Sequence, residues 1–256
     1  MKCSFLIMLL SSLIALASCA EIQSSGTAST VQAGTGKETI QNKDELPPLS
    51  DAEKDVLKKL GGEILPDQNI KLDNITIHRR ERELSFPGWV NMTSGDLEVL
   101  ISMPHGRVHE SLLSSKADPM KLQIALLLLG AENGSRKGGE TIKQGTLFNI
   151  DVQPEGGKRI PVENWLLNKK TSTGMERLGW VFIGSSFTHN MYCLAKEEGN
   201  IVNIWSFGNT ILDNPASTGD DDDFIVVNPD TVGKYQSPVK IILSFKDEKS
   251  GQETQK

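Results

Sequence analysis

Three groups of side chains in this chain could do chemistry. The first is the triplet His109-Glu110-Ser111. A carboxylate beside an imidazole is the pair that moves protons in general acid–base catalysis, and a serine hydroxyl next to it is a nucleophile once a base activates it. Ser111, however, sits in no nucleophile-elbow glycine pattern, and no oxyanion donor accompanies it. If the stretch is a strand, Glu110 shares a face with Val108 and Leu112, while His109 and Ser111 take the other. A carboxylate on the apolar face needs a cationic partner, because an unpaired buried charge is costly. Arg79, Arg80, Arg82 and Arg107 are available. A structural Glu–Arg bridge beside a surface histidine gives the same pattern and is the simpler explanation.

The second group is acidic: Asp213 with Asn214-Pro215, then Asp220, Asp221, Asp222 and Asp223. Hard oxygen ligands so closely spaced suit Ca²⁺. The run lacks the central Gly and terminal Glu of an EF-hand loop, and a solvated turn is the simpler explanation. The third group is histidine. His105 and His109 have a helical metal spacing, but Pro104 places a turn beside them, and His78 and His189 could join only through the fold. No phosphate-binding glycine loop follows a strand. Trp89, Trp165, Trp180 and Trp205 read as core packing. No other cofactor is indicated.

The formal net charge is −6 and no Lys/Arg-rich run occurs, which excludes a nucleic-acid partner on electrostatic grounds. A content of 38% hydrophobic and 23% charged residues suits a globular domain. Of the cysteines Cys3, Cys19 and Cys193, only the last falls in the folding part. It can form neither an intradomain disulfide nor a thiolate metal site, and it reads as a buried, inert thiol.

The elements that would position these groups begin after a leader. Lys2 precedes a short apolar run, Phe5–Ala17, that is below the about 20 residues needed to span a bilayer. Leu16-Ala17-Ser18-Cys19 resembles the lipobox of bacterial lipoproteins. Residues 1–18 are therefore expected to be a signal peptide and Cys19 the lipidated residue. Ala20 after the cysteine points to the outer membrane, with the protein facing the periplasm. Residues 19–48, rich in small polar side chains, read as a flexible tether. In the segment 49–62, Ser50 and Glu53 form a capping box for a lead-in helix at 51–60, stopped by Gly61-Gly62.

From Glu63 to Phe245 short alternating runs predict one β-rich domain, with a polar tail at 246–256. Strands are expected at 82–86, before a Pro87-Gly88 turn, and at 97–101, 108–113, 147–152, 159–167, 180–183, 191–195, 201–207, 224–227 and 239–245. Asp118-Pro119 opens a Leu/Ala-rich helix that Gly130 ends. The expected fold class is α+β, a mostly antiparallel β-sheet with one buried helix packed on it, plus the short N-terminal helix.

An ordered series of stretches carries a resemblance. It runs Phe86-Pro87-Gly88, Val90-Asn91-Met92, Gly95-Asp96-Leu97-Glu98, His109 to Leu113 and Ala125 to Gly130. It continues with Val162-Glu163-Asn164-Trp165, Trp180-Val181-Phe182 with Gly184-Ser185, and Ile211 to Pro215. Together these resemble the YdjY-domain family of exported bacterial proteins and lipoproteins. The resemblance implies a single domain and an envelope location and supplies no mechanism. A ferredoxin-like label used for some members does not transfer, since Cys193 alone cannot supply the four ligands of a conventional cluster.

The residues thus favour a lipid-anchored envelope protein with a binding or scaffolding domain. Its expected partners are the membrane, through the lipid on Cys19, and an envelope protein or glycan. The alternative is a metal-dependent or acid/base hydrolase using Glu110, His109 and Asp220–Asp223. The anchor predicts that Cys19→Ala abolishes labelling of the expressed protein with radioactive palmitate. Undiminished labelling would place the lipid elsewhere or nowhere.

Overall fold

The computed structural model describes residues 46–136, 143–190, 192–215 and 224–246. The leader, Cys19, most of the tether, Asp220–Asp223 and most of the tail lie outside the described residues. The chain divides into two compact units, residues 1–56 and 57–256.

Helix α1 (Asp51–Leu60) has the predicted capping box. The Ser50 amide and hydroxyl both donate to Glu53 Oε2 at 2.7 Å, and the Glu53 amide donates back to Ser50 Oγ at 3.3 Å. Gly61, at φ +73°, ends the helix.

The second unit is built from strands. In chain order they are β1 (Glu63–Ile64), β2 (Ile70–Leu72), β3 (Ile75–His78), β4 (Glu83–Val90), β5 (Val99–Ser102) and β6 (Ser111–Ser114). Helix α2 (Pro119–Leu128) follows, then β7 (Ser135–Arg136), β8 (Lys143–Gln144), β9 (Leu147–Pro154), β10 (Ile160–Pro161), β11 (Leu166–Asn168) and β12 (Trp180–Phe182). Helix α3 (Leu194–Glu198) leads into β13 (Asn200–Asn203), β14 (Leu212–Asp213), β15 (Ile225–Val227) and β16 (Pro238–Phe245).

The strands close on themselves, which corrects the expected open sheet with a helix packed on it. The ring runs β4-β16-β9-β12-β14-β13-β5-β6 and returns to β4 through Trp89↔Ser114 and Val90↔Leu113. It is an eight-stranded barrel, to which β1, β2, β3 and β10 are added. Closure removes the unpaired edges of an open sheet. The ring is mostly antiparallel, but β5–β6 and β13–β14 are parallel. Helix α2 is mostly buried, with Asp118 accepting from the amides of Met120 and Lys121 at its N-terminus, and it touches β3 and α3.

The closure depends on β4 changing partner along one edge. Residues 83–85 pair with β3, and residues 89–90 pair with β6, while β16 runs along the other edge. Pro87 and Gly88 fall between the two pairings, so they lie inside a strand and do not form the expected turn. A proline, which offers no N–H to a ladder, is tolerated where that edge is between partners.

The same period-2 alternation separates core from polar face. Phe86, Ile241 and Val152 stand side by side on β4, β16 and β9, and Leu84, Leu243 and Ile150 form the next layer. All six are buried, as expected for the filled interior of a small barrel. The intervening residues Glu83, Ser85, Asp151 and Ser244 take the opposite face.

Other expected elements shift. Residues 108–110 form a 3₁₀ turn, and the strand begins only at Ser111. Residues 194–198 are helical, with Gly199 at φ +76° as the C-cap, where a strand was expected at 191–195. The stretch 159–167 breaks into β10, a 3₁₀ turn at Val162–Trp165, and the start of β11.

A Cβ on Gly88 would lie 2.7 Å from Ile241 Cδ1 and 2.9 Å from Ser114 O, so the closing seam has no room for it. Gly88→Ala should cost about 1–3 kcal/mol, as overpacking does. A urea titration that shows no drop in midpoint would remove Gly88 from the seam's requirements.

Candidate functional site

The two parallel strand pairs are joined by the short connections 103–110 and 204–211, below the dozen or more residues such crossovers usually take. Arg107, on the first connection, holds the two together. Its guanidinium pairs with Glu98 and with Glu110 (3.0 Å) and lies 4.6 Å over the ring of Phe207, on the second connection. Trp205 packs against Phe207, with centroids 4.9 Å apart. The amides of Ile204 and Trp205 both donate to the Glu98 carbonyl at 2.9 Å.

This is where the predicted triplet lies. Glu110 is half-buried and its partner is Arg107, one of the four arginines considered. The strand alternation that placed it does not exist, since residues 108–110 are a 3₁₀ turn. His109 is 73% exposed and its Nε2 stands 3.6 Å from Glu110 Oε2. Ser111 is fully buried and donates to Leu113 O at 2.7 Å, so its hydroxyl is turned to the backbone and away from any substrate. The geometry brings Glu110 and His109 together and leaves Ser111 out.

The histidines do not converge either. His105 Nε2 meets Lys196 O at 2.9 Å, and His78 Nε2 meets Ser85 Oγ at 2.8 Å. Asp213 is fully buried, accepting from Ser206 Oγ at 3.0 Å and the Asn214 amide at 2.9 Å. Its proposed co-ligands Asp220–Asp223 lie outside the described residues. Among the described residues, no group of three or more His, Cys, Asp or Glu is placed to hold a metal ion.

Two features were not visible in the sequence. One is a charge network on the polar face of the barrel. Arg177 donates to Glu163 (3.1 Å) and Asp151 (2.7 Å). Arg159 bridges Asp151 and Glu83, the latter at 2.8 Å, and reaches Ser244 at 3.2 Å. Glu163 is 3% exposed and also accepts from Trp180 Nε1 at 3.0 Å. Burial pushes its carboxyl up from the ordinary value near 4.5, against its own backbone hydrogen bond, Arg177 and Trp180, which pull it down. Each of these charges is committed to another, so the network reads as architecture.

The other feature is a polar cleft of about 300 Å³. Its walls are Asn133-Gly134 after α2, residues 183–186 after β12, and Gly208-Asn209-Thr210 on the second crossover. Among the described residues, no Asp, Glu, Lys, Arg or His lines it. The walls are pinned from behind. Ser185 N donates to Gln123 Oε1 at 3.0 Å, and Ser185 Oγ accepts from Ala195 N at 2.9 Å. Glu198 accepts from Asn209 N (2.7 Å) and Nδ2 (2.6 Å).

Two glycines keep it open. A Cβ on Gly184, at φ +67°, would collide with Asn133 Oδ1, and one on Gly208, at φ +51°, with Glu198 Oε2. Asn200, 2% exposed beside Glu198, keeps a buried Oδ1 with no partner among the described residues. Cys193, behind Ser185, is buried as expected; burial pushes its thiol up and keeps it unreactive. Its described lining offers amides and hydroxyls that can hydrogen-bond a ligand.

A family model described as the YdjY domain matches residues 75–244. No curated protein and no solved structure matches the chain.

The raised Glu163 pKa has a sign. Below the ordinary value near 4.5 the carboxyl is protonated in both folded and unfolded chains, and its buried neutral form contributes fully to stability. As pH rises above 4.5 through the folded value, that contribution is lost. The stability of the wild type relative to Glu163→Gln should therefore fall with rising pH over that window. Urea midpoints that keep a constant difference from pH 4 to 8 would contradict it.

Proposed function

The chain belongs to the YdjY domain family, and we propose that it is a lipid-anchored protein of the bacterial cell envelope whose barrel is a ligand-binding module. The lipobox at Leu16–Cys19 and the small-polar stretch 20–48 support the anchor and tether. They favour the periplasmic face of the outer membrane.

The single observation that carries binding is the polar cleft. Its volume is at the lower end of the range for small-ligand sites. Its exposed groups are fixed in place by bonds behind them, so little ordering is left for a ligand to impose. The hydrolase alternative would have needed Glu110, His109 and the acidic run around one pocket. Glu110 is instead engaged by Arg107, and neither it nor His109 lines the cleft.

Ser186 is exposed on the cleft wall, so filling it from that position should leave the fold intact. A ligand that binds only the native state raises the melting temperature. A protein-free extract of the cell envelope should raise the melting temperature of the purified full-length chain in detergent. Ser186→Trp should melt at the same temperature without extract and show no rise with it. Equal rises in both proteins, or none in the wild type, would defeat the proposal.

A further inference from the structure

Resting on the binding module just described, we propose that helix α3 is the strut that sets the width of the cleft, and that Glu198 is the positioning residue through which it holds the far wall.

Two walls of the cleft are bonded to α3, at its opposite ends. At the N-terminal end the Leu194 amide donates to Ser186 O at 3.0 Å, and the Ala195 amide donates to Ser185 Oγ at 2.9 Å. Ser185 and Ser186 belong to the first wall. At the C-terminal end the Glu198 carboxylate accepts from Asn209 of the second wall, through its backbone amide at 2.7 Å and its Nδ2 at 2.6 Å. A helix of five residues rises about 7 Å. One short rigid element therefore spaces the two loops.

The strut is itself seated. Its C-cap Gly199, at φ +76°, lies against Gly106 of the first connection so closely that a Cβ on either would stand 2.5 Å from the backbone of the other. The Met103 amide donates to Gly199 O at 2.7 Å, and His105 Nε2 meets Lys196 O at 2.9 Å. Lys196 Nζ reaches Asp118, the N-cap of α2, at 2.7 Å. These bonds restrain a tilt of α3, and the walls inherit that restraint.

Glu198 makes its attachment in a form that other side chains do not copy. Its oxygens are used separately, Oε2 by the Asn209 backbone amide and Oε1 by Asn209 Nδ2. The pair closes a ring that fixes the main chain and the side chain of one lining residue together. Donors that meet a carboxylate form shorter and stronger bonds than neutral pairs do. A carboxamide in its place has a single oxygen, so it accepts from one of the two donors and sets its own N–H against the other. Gly208, at φ +51°, permits the approach, since a Cβ there would collide with Glu198 Oε2.

Glu198 is exposed, so its replacement should leave the fold intact. The test measures how much of the protein-free envelope extract gives the half-maximal rise in melting temperature, using full-length chains in detergent. Glu198→Gln and Asn209→Ala should each need about threefold more extract than the wild type, the effect of one exposed hydrogen bond. The double variant should need no more than Asn209→Ala alone, because Glu198 acts through Asn209. A merely structural Glu198 would lower the melting temperature without extract and leave the extract requirement unchanged, which would overturn the inference. Losses that multiply in the double variant would overturn it too. If Ser186→Trp abolishes the wild-type rise while Glu198→Gln matches the wild type, the binding module stands and the positioning role falls. If the wild type shows no rise, both fall.

Discussion

The fold rests on one strand having two partners along the same edge. β4 hydrogen-bonds β3 over its first residues and β6 over its last, and only the second pairing turns a twelve-stranded sheet into a barrel. Gly88 permits it by letting Ser114 O and Ile241 approach the β4 backbone. Without Trp89↔Ser114 and Val90↔Leu113, β6 would be an open edge and the layers around Phe86, Ile241 and Val152 would lose their lid. The hydrophobic term is non-directional and would be served by many arrangements. The ladder at 89–90 is what selects this one.

Two strand pairs in the ring, β5–β6 and β13–β14, are parallel, and their connections are too short for a crossover helix. The connections instead lie across the strands they join and need fastening. Arg107 does this with two carboxylates and an aromatic face, although at 42% exposure the ion pairs themselves contribute little, on the order of 0–1 kcal/mol. Its effect is to fix where 204–211 runs. That path sets the Gly208–Thr210 wall of the cleft, so the predicted Glu110 stretch and the cleft are linked through packing and not through chemistry.

The sequence showed what depends on neighbours and hid what depends on distant partners. The Ser50–Glu53 capping box and the Asp118-Pro119 start of α2 were legible because each is a hydrogen bond between residues two or three apart. The family was legible from an ordered series of stretches, and two of them, Glu163 and Trp180, meet in the structure at 3.0 Å. The barrel was not legible, because alternation in β4 looks the same whether its edge is free or paired. Pro87-Gly88 carried the usual signature of a turn and was a change of partner. Leu194 to Glu198 are good helix formers that an apolar alternation across Met191–Ala195 obscured. The cleft gave no local signal at all. Its glycines, serines and asparagines read as loop punctuation until three loops were brought together.

The distribution of charge separates architecture from recognition. Glu83, Asp151 and Glu163 share Arg159 and Arg177 on one face of the barrel, and Glu98 and Glu110 share Arg107 at the crossovers. The described walls of the cleft carry no charge, and Asn200 beside it retains a buried acceptor that costs about 1–3 kcal/mol if nothing meets it. The walls are held from behind by Ser185, through Gln123 and Ala195, and by Asn209, through Glu198. A molecule bound there meets a surface already ordered, so shape and hydrogen-bond pattern decide what fits.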